Sequence, residues 1–209
     1  MSALALAAPA QQWGLPMSAA EQAGDRLVAP RPARPGKRDG ALVRAAQDGD
    51  EDALGELFRR HWRPAHRAAY LIVHDSAAAE DIAQESFLAA IRALDRFDRR
   101  RPFGPWLHRI TVNRAIDHTR SRKLRGEVGV PEVLEGEAAP EHEPELSDEL
   151  VAALAGLGPE QRAVVVLRHL LDYTPGEIGE MLGMPRGTVN SRLRRALDRL
   201  RPLIEEDGR

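Results

Sequence analysis

Three observations predict an all-α protein: two helical domains joined by a flexible acidic linker, with a helix-turn-helix in the C-terminal domain. From Gly40 onward apolar residues recur at three- and four-residue steps, the spacing that gathers them on one face of a helix. Residues 126 to 149 hold nine acidic side chains and no basic one, with few large apolar groups, so this stretch is expected to be flexible when free. Thr174 to Arg201 reads as two capped helices separated by Gly183, Met184 and Pro185. The expected organisation is an Ala/Pro-rich disordered extension over 1–39, a helical domain over 40–125, the acidic linker over 126–147 and the helix-turn-helix domain over 148–209.

At 209 residues with 43% hydrophobic content, the chain is long enough for one or two domains with real cores. It contains no cysteine, which excludes a disulfide framework and a thiolate metal site and fits a reducing cytoplasm. No stretch approaches a membrane span, and the opening MSALALAAPA is too short, and too poor in basic residues ahead of it, for a signal peptide. The formal net charge of -2 hides a sorted distribution. Residues 96 to 125 carry ten basic and two acidic side chains, directly before the acidic linker. That asymmetry suggests a basic surface for nucleic acid beside a solvated or charge-mimicking spacer.

Taken in order, Leu42, Val43 and Ala46, then Ala53, Leu54, Leu57, Phe58 and Trp62, mark two helices broken near Asp48 to Asp50. Pro64 is expected to interrupt the second or to begin another segment, which Ala65 to Val73 continues. His61 and His66 lie five apart and diverge on a helix, so they do not form the i, i+4 pair of a zinc helix and read as core or surface residues. The next helix is capped by Asp75 or Ser76 and runs to about Phe97. Ala79, Ile82, Ala83, Ser86, Phe87, Ala90, Ile91 and Leu94 form its expected buried side. Asp81, Glu85, Leu88 and Arg92 stand opposite, with Gln84 at the edge, so an apolar centre with a polar rim faces outward.

The loop DRFDRRRPFGPW and the helix that follows place Trp106, Ile110, Asn113, Asp117 and Arg120 on one stripe beside Arg99, Arg100 and Arg101. An aromatic, an amide and several cations suit single-stranded or melted nucleic acid, where bases stack and phosphates need neutralising. Trp106 and Ile110 are read as core, with Asn113 and Asp117 bonding a neighbouring helix as the plainer alternative. In the C-terminal pair, Thr174, Pro175 and Glu177 make a capping-box start. Val189, Leu193, Ala196, Leu197 and Leu200 form the inward stripe of the second helix, while Gly187, Ser191, Arg194 and Arg195 face away, flanked by Thr188, Asn190 and Arg192. Six Arg against one Asp between Arg186 and Arg201 make that face a duplex-reading surface rather than a merely solubilising one.

The run AEDIAQESF, then FGPWLHRITVNRAIDHTR, an acidic linker, LGPEQRAVVVLRHLLDYTPGEIGEMLG and GTVNSRLRRAL together resemble the extracytoplasmic-function branch of bacterial sigma factors, over about residues 40 to 205. The resemblance implies a non-enzymatic cytoplasmic factor that binds core RNA polymerase and promoter DNA, with no cofactor, no metal and no membrane insertion, and with an anti-sigma factor as a further partner. It implies docking on a coiled coil of the largest polymerase subunit through Asp81, Gln84, Glu85 and Phe87; periodicity turns Phe87 inward and puts Leu88 in its place on the outer face. It implies minus-10 contacts at Phe103, Asn113, Asp117 and Arg120, and minus-35 contacts at Arg186, Thr188, Asn190, Ser191, Arg194 and Arg195. The Arg-rich loop and the extension before residue 40 depart from the family's minimal pattern. Two other classes remain open on the residues alone: a conventional helix-turn-helix regulator acting on duplex DNA without polymerase, and a helical signalling adaptor.

Overall fold

The computed structural model describes residues 39–126 and 148–206. The expected disordered extension, apart from Asp39, and the acidic linker, apart from Gly126, lie outside the described residues. The helices are α1 (Gly40–Gln47), α2 (Glu51–Val73), α3 (Ser76–Ala93), α4 (Phe103–Leu124), α5 (Asp148–Ala155), α6 (Pro159–Val165), α7 (Pro175–Leu182) and α8 (Arg186–Glu206). A 3-10 turn over Leu94–Arg96 follows α3, and a wider π turn over Val166–Leu170 follows α6.

Asp39 ends the extension as a buried anchor, which corrects its place in a disordered segment. Its carboxylate lies 2.9 Å from His61 Nε2 and 3.5 Å from Arg60, and its carbonyl accepts the Val43 N–H. The turn between α1 and α2 rests on Gly49, at φ +94°, and on Asp50, whose side chain accepts the Ala53 N–H at 3.1 Å. Contrary to expectation, α2 runs unbroken through Pro64. An interior proline costs about 3 kcal/mol, but Leu57, Ala65, Ala68 and Ile72 are fully buried on either side of it. Each large apolar side chain buried there stabilises by about 1.5–3 kcal/mol, so the 23-residue helix as a whole outweighs its one defect.

α2 stops at His74, which takes a left-handed conformation at φ +55°, and Asp75 caps α3 by accepting the Ala78 N–H. α1 to α4 close one core around Leu57, Phe87, Phe97, Phe103 and Leu107. The helices after the linker do not stand apart from this bundle. Ile72, Val112 and Ile116 of α2 and α4 belong to the same apolar cluster as Leu154, Val164, Ile178 and Leu200. Polar contacts follow the same seam: Arg162 of α6 donates to the Ile72 carbonyl at 2.5 Å, and His108 Nδ1 lies 2.7 Å from the Tyr173 hydroxyl.

Candidate nucleic-acid and protein interfaces

The outer face of α3 is built as its periodicity predicts. Ile82, Ala83, Ser86, Phe87 and Ala90 are buried, Asp81, Gln84, Glu85 and Arg92 are exposed, and Leu88 is 50% exposed among them. Glu85 pairs with Arg114 of α4 at 2.6 Å and Gln84 donates to Glu80 at 3.0 Å along the rim. Sequence reasoning missed part of the apolar centre. Ile91 is 40% and Phe58 41% exposed, although both were expected in the core. With Leu54, Leu57, Phe87, Leu94 and Phe103 they line a shallow apolar recess between α2 and α3. The signal was present for Ile91: its direction lies roughly 100° from the centre of the buried stripe, at the edge rather than on it.

α4 carries the second surface. Its basic loop is exposed at Arg99, Arg100 and Arg101, with Arg100 N–H donating to Asp98. Asn113 is half-buried, whereas Asp117 and Arg120 are exposed and lie 3.6 Å apart. Phe103 is a correction: at 3% exposure it packs edge-on to Phe97 and Trp106 and cannot reach a nucleic acid in this arrangement. The reason is its position as the first residue of α4, directly over the core of the bundle. Trp106 packs on Phe97 with ring centres 4.4 Å apart and planes tilted by 32°, and Ile110 packs against the same core, in line with the structural reading of both. Arg120 also donates Nε and Nη2 to Glu160, at the first turn of α6, at 3.1 and 2.5 Å. Burial raises the Glu160 pKa and the Arg120 bond lowers it, with a net depression that Arg192 reinforces.

The third surface is α8. Thr174 caps α7 with reciprocal bonds, its hydroxyl accepting the Glu177 N–H at 3.3 Å and its own N–H reaching the Glu177 carboxylate at 2.7 Å. Gly183, at φ +65°, ends α7. Val189, Leu193, Ala196 and Leu200 are buried, and Arg186, Gly187, Asn190, Arg194 and Arg195 are exposed on the other side. Thr188 and Ser191 are half-buried, the Ser191 hydroxyl donating to the Thr188 carbonyl at 2.9 Å. A helix whose first turns present an amide and several guanidiniums, held by a tight turn behind it, has the form of a helix that enters the major groove.

Among the described residues no group of His, Cys, Asp and Glu is arranged to hold a metal ion, and no helix is long and apolar enough to cross a membrane. His61 and His66, five apart, serve structure: one pairs with Asp39 and the other stacks on Trp62.

Residues 57–125 match the Sigma-70 region 2 family and residues 153–202 match Sigma-70, region 4. The chain is 34% identical to the ECF RNA polymerase sigma factor BldN of Streptomyces coelicolor over 80% of its own length and 66% of BldN. It is 36% identical to the ECF RNA polymerase sigma factor SigM of Mycobacterium tuberculosis, over 80% of this chain and 85% of that one. A solved structure of CnrH in complex with the cytosolic domain of CnrY aligns with a TM-score of 0.61 at 28% identity, covering 81% of this chain and 98% of CnrH; CnrH is a sigma factor of Cupriavidus metallidurans.

Proposed function

This chain belongs to the extracytoplasmic-function sigma factors, and from that premise we propose that it binds core RNA polymerase and directs promoter-specific transcription initiation. The observation that carries the reading is the coexistence, on one chain matching both sigma-70 regions, of an outward face with an apolar centre and a polar rim and two separate basic surfaces. A dimeric repressor needs one DNA surface and one face for a second copy of itself, and has no use for a second, separate basic surface. The factor works in the cytoplasm and supplies selection, while polymerase supplies the chemistry.

The roles divide by surface. Leu88, extended by Ile91 and Phe58, is the apolar anchor for the coiled coil of the largest polymerase subunit, and Asp81, Gln84 and Glu85 form its polar rim. Asn113, Asp117 and Arg120, with the Arg99–Arg101 loop, contact the minus-10 element, where an exposed guanidinium beside an amide suits an opened strand. Phe103 supports that surface from beneath. Arg186, Asn190, Arg194 and Arg195 read the minus-35 duplex, with Thr188 and Ser191 at the edge of that face. The CnrH structure is a complex with the cytosolic domain of CnrY, and an anti-sigma factor is proposed as the corresponding partner of this chain.

The test is reconstituted transcription. Core polymerase with this chain should start from a promoter that neither component uses alone. Leu88→Asp combined with Ile91→Asp should weaken polymerase binding at least about thirtyfold, as expected for a hot spot worth ~2 kcal/mol or more, while the helical content is kept. New initiation without polymerase contact, or repression in place of initiation, would favour the conventional regulator.

A further inference from the structure

We propose that Asp39 and Gln47, at the two ends of α1, are positioning residues for minus-10 reading: they brace the two stems of the Arg99–Arg101 loop and so fix where its guanidiniums meet the promoter strand. This rests on the reading of that loop and α4 as the minus-10 surface and goes beyond it, because neither residue touches DNA or polymerase in that reading.

Asp39 directly precedes α1, a place where an aspartate ordinarily caps its own helix by accepting an N–H from the first turn. Its side chain makes no such bond. The carboxylate turns instead to His61 Nε2 at 2.9 Å and to Arg60 at 3.5 Å, and the His61 and Asp39 side chains are almost fully buried, at 1% and 2% exposure. Burial lowers the His61 pKa although Asp39 raises it, so the ring is neutral at pH 7 and donates its Nε2 proton to the carboxylate. Holding that edge fixes the opposite edge as well. It lies under the first turn of α4: a Cβ on Gly104 would stand 3.1 Å from His61 Cε1 and 3.4 Å from Nδ1, and the Phe103 and His61 ring centres are 5.3 Å apart. The stem that leaves the loop therefore rests on a ring that Asp39 orients.

The stem that enters the loop is held from the other end of α1. Gln47 Nε2 donates to the Leu94 carbonyl at 2.7 Å and to the Phe97 carbonyl at 3.1 Å. Its Oε1 is buried with no hydrogen-bond partner among the described residues. An unpaired buried acceptor carries a desolvation cost, which a glutamine serving only α1 would escape by turning to water. Between the stems the loop does little to hold itself: the Arg101 N–H donates to the Asp98 carbonyl at 2.9 Å and the Arg100 N–H to the Asp98 carboxylate at 3.0 Å. Its direction is thus set from outside. Of α1's own residues only Val43 is buried, so the helix adds polar bonds at its ends rather than a large apolar face. Buried polar bonds stabilise little over an apolar filling, and their use is to select one arrangement.

The test uses the full chain. Because it has no cysteine, a pair introduced at the exposed Ala77 and Arg100 can carry spin labels that read the distance from α3 to the loop. The variants are Asp39→Leu, which fills the site and removes the acceptor, Asp39→Asn, which keeps an acceptor for His61, and Gln47→Met, which keeps the length and removes the donor. Asp39→Leu and Gln47→Met should each broaden a distance distribution that is narrow in the wild type, and Asp39→Asn should leave it narrow. Unlabelled chains are then assayed with core polymerase on a promoter library randomised over both elements. Polymerase affinity and preference among minus-35 sequences should stay as in the wild type, while preference among minus-10 sequences falls about tenfold, the loss of one base contact. A merely destabilised chain would lose activity on all sequences alike. Distributions in Asp39→Leu and Gln47→Met as narrow as the wild type's overturn the brace. Broadening with an unchanged minus-10 preference overturns its role in strand reading, and equal losses in Asp39→Asn and Asp39→Leu overturn the assignment to the His61 bond. Failure of the wild type to initiate with polymerase would remove the sigma-factor reading instead, while the distances still decide whether α1 holds the loop.

Discussion

Gly179 shows how a single residue can be fixed by a neighbour that is distant in the local pattern. It sits inside α7, where alanine would be the better helix former by about 1 kcal/mol. A Cβ at this position would lie 2.6 Å from the Met184 carbonyl, because the turn after Gly183 folds back over the helix. Backbone cannot move aside as a flexible side chain can, so Gly179→Ala is expected to destabilise by roughly 1–3 kcal/mol despite its propensity. Gly176, in the same helix, meets nothing closer than Thr174 Oγ1 at 3.9 Å and serves as the control. Thermal unfolding should show a midpoint lowered by several degrees for Gly179→Ala, and an unchanged or raised one for Gly176→Ala. Equal shifts in the two variants would show that propensity alone decides. Nothing in the sequence around Gly179 announces this constraint, since a glycine in a helix with no turn signal of its own reads as a weak spot. Gly104 is constrained in a related way, its missing Cβ lying 3.1 Å from the buried ring of His61. There the obstacle is a side chain that the sequence offered only as a residue of no metal site.

At the scale of the element, α8 was legible but for Leu197, expected on the inward stripe and only half-buried, and α2 was not, and the difference is physical. The inward stripe of α8 and the Thr174–Glu177 cap of α7 before it each come from neighbouring residues, so periodicity and turn chemistry fix both. In α2 the local signal at Pro64 argues for a break, and the decision belongs to burial along both sides of it. The faces of α3 lie between these cases: Leu88 was placed outward by phase, whereas Ile91 and Phe58 were drawn inward by their hydrophobicity. For α8 the exposed face gives a sharp expectation. Arg195→Ala should cost ~1–3 kcal/mol and relax the preference at one base if Arg195 reads a base edge. It should instead weaken every sequence alike and lower the salt slope by about one if Arg195 contacts phosphate. Binding of polymerase holoenzyme to a library of minus-35 variants separates the two, and an unaltered affinity and preference would remove Arg195 from the interface. Because Arg195 is exposed and the core stripe of α8 faces the other way, the variant should fold as the wild type does.

Across the whole molecule the least legible feature is the seam that joins the two sets of helices, since its contacts pair residues as far apart as Ile72 and Arg162, or His108 and Tyr173. No local pattern encodes such a pairing, and the linker's composition points the other way, toward separate domains. The seam nevertheless leaves a measurable trace in titration. Burial, and then His61, push His108 down to about 3; burial, and then the Arg162 guanidinium, push His74 down to about 4. In the unfolded chain both rings titrate near 6.5. Below that value the unfolded state takes up protons that the folded state refuses, so stability is fully present above pH 6.5 and is lost as pH falls toward 4. Each ring contributes a slope of about 1.4 kcal/mol per pH unit once the pH is well below 6.5, or roughly 1 kcal/mol between pH 7 and 5.5. Together they should lower the thermal midpoint by about 4–8 °C over that interval, a window chosen because most carboxylates stay ionised through it. His108→Gln, which keeps a partner for the Tyr173 hydroxyl but does not titrate, should remove about a third of the slope or less, because burial also holds His169 down to about 3 and lowers His61. Midpoints that stay flat from pH 7 to 5.5 in the wild type would mean that these rings are open to water, and hence that the seam is not closed in solution.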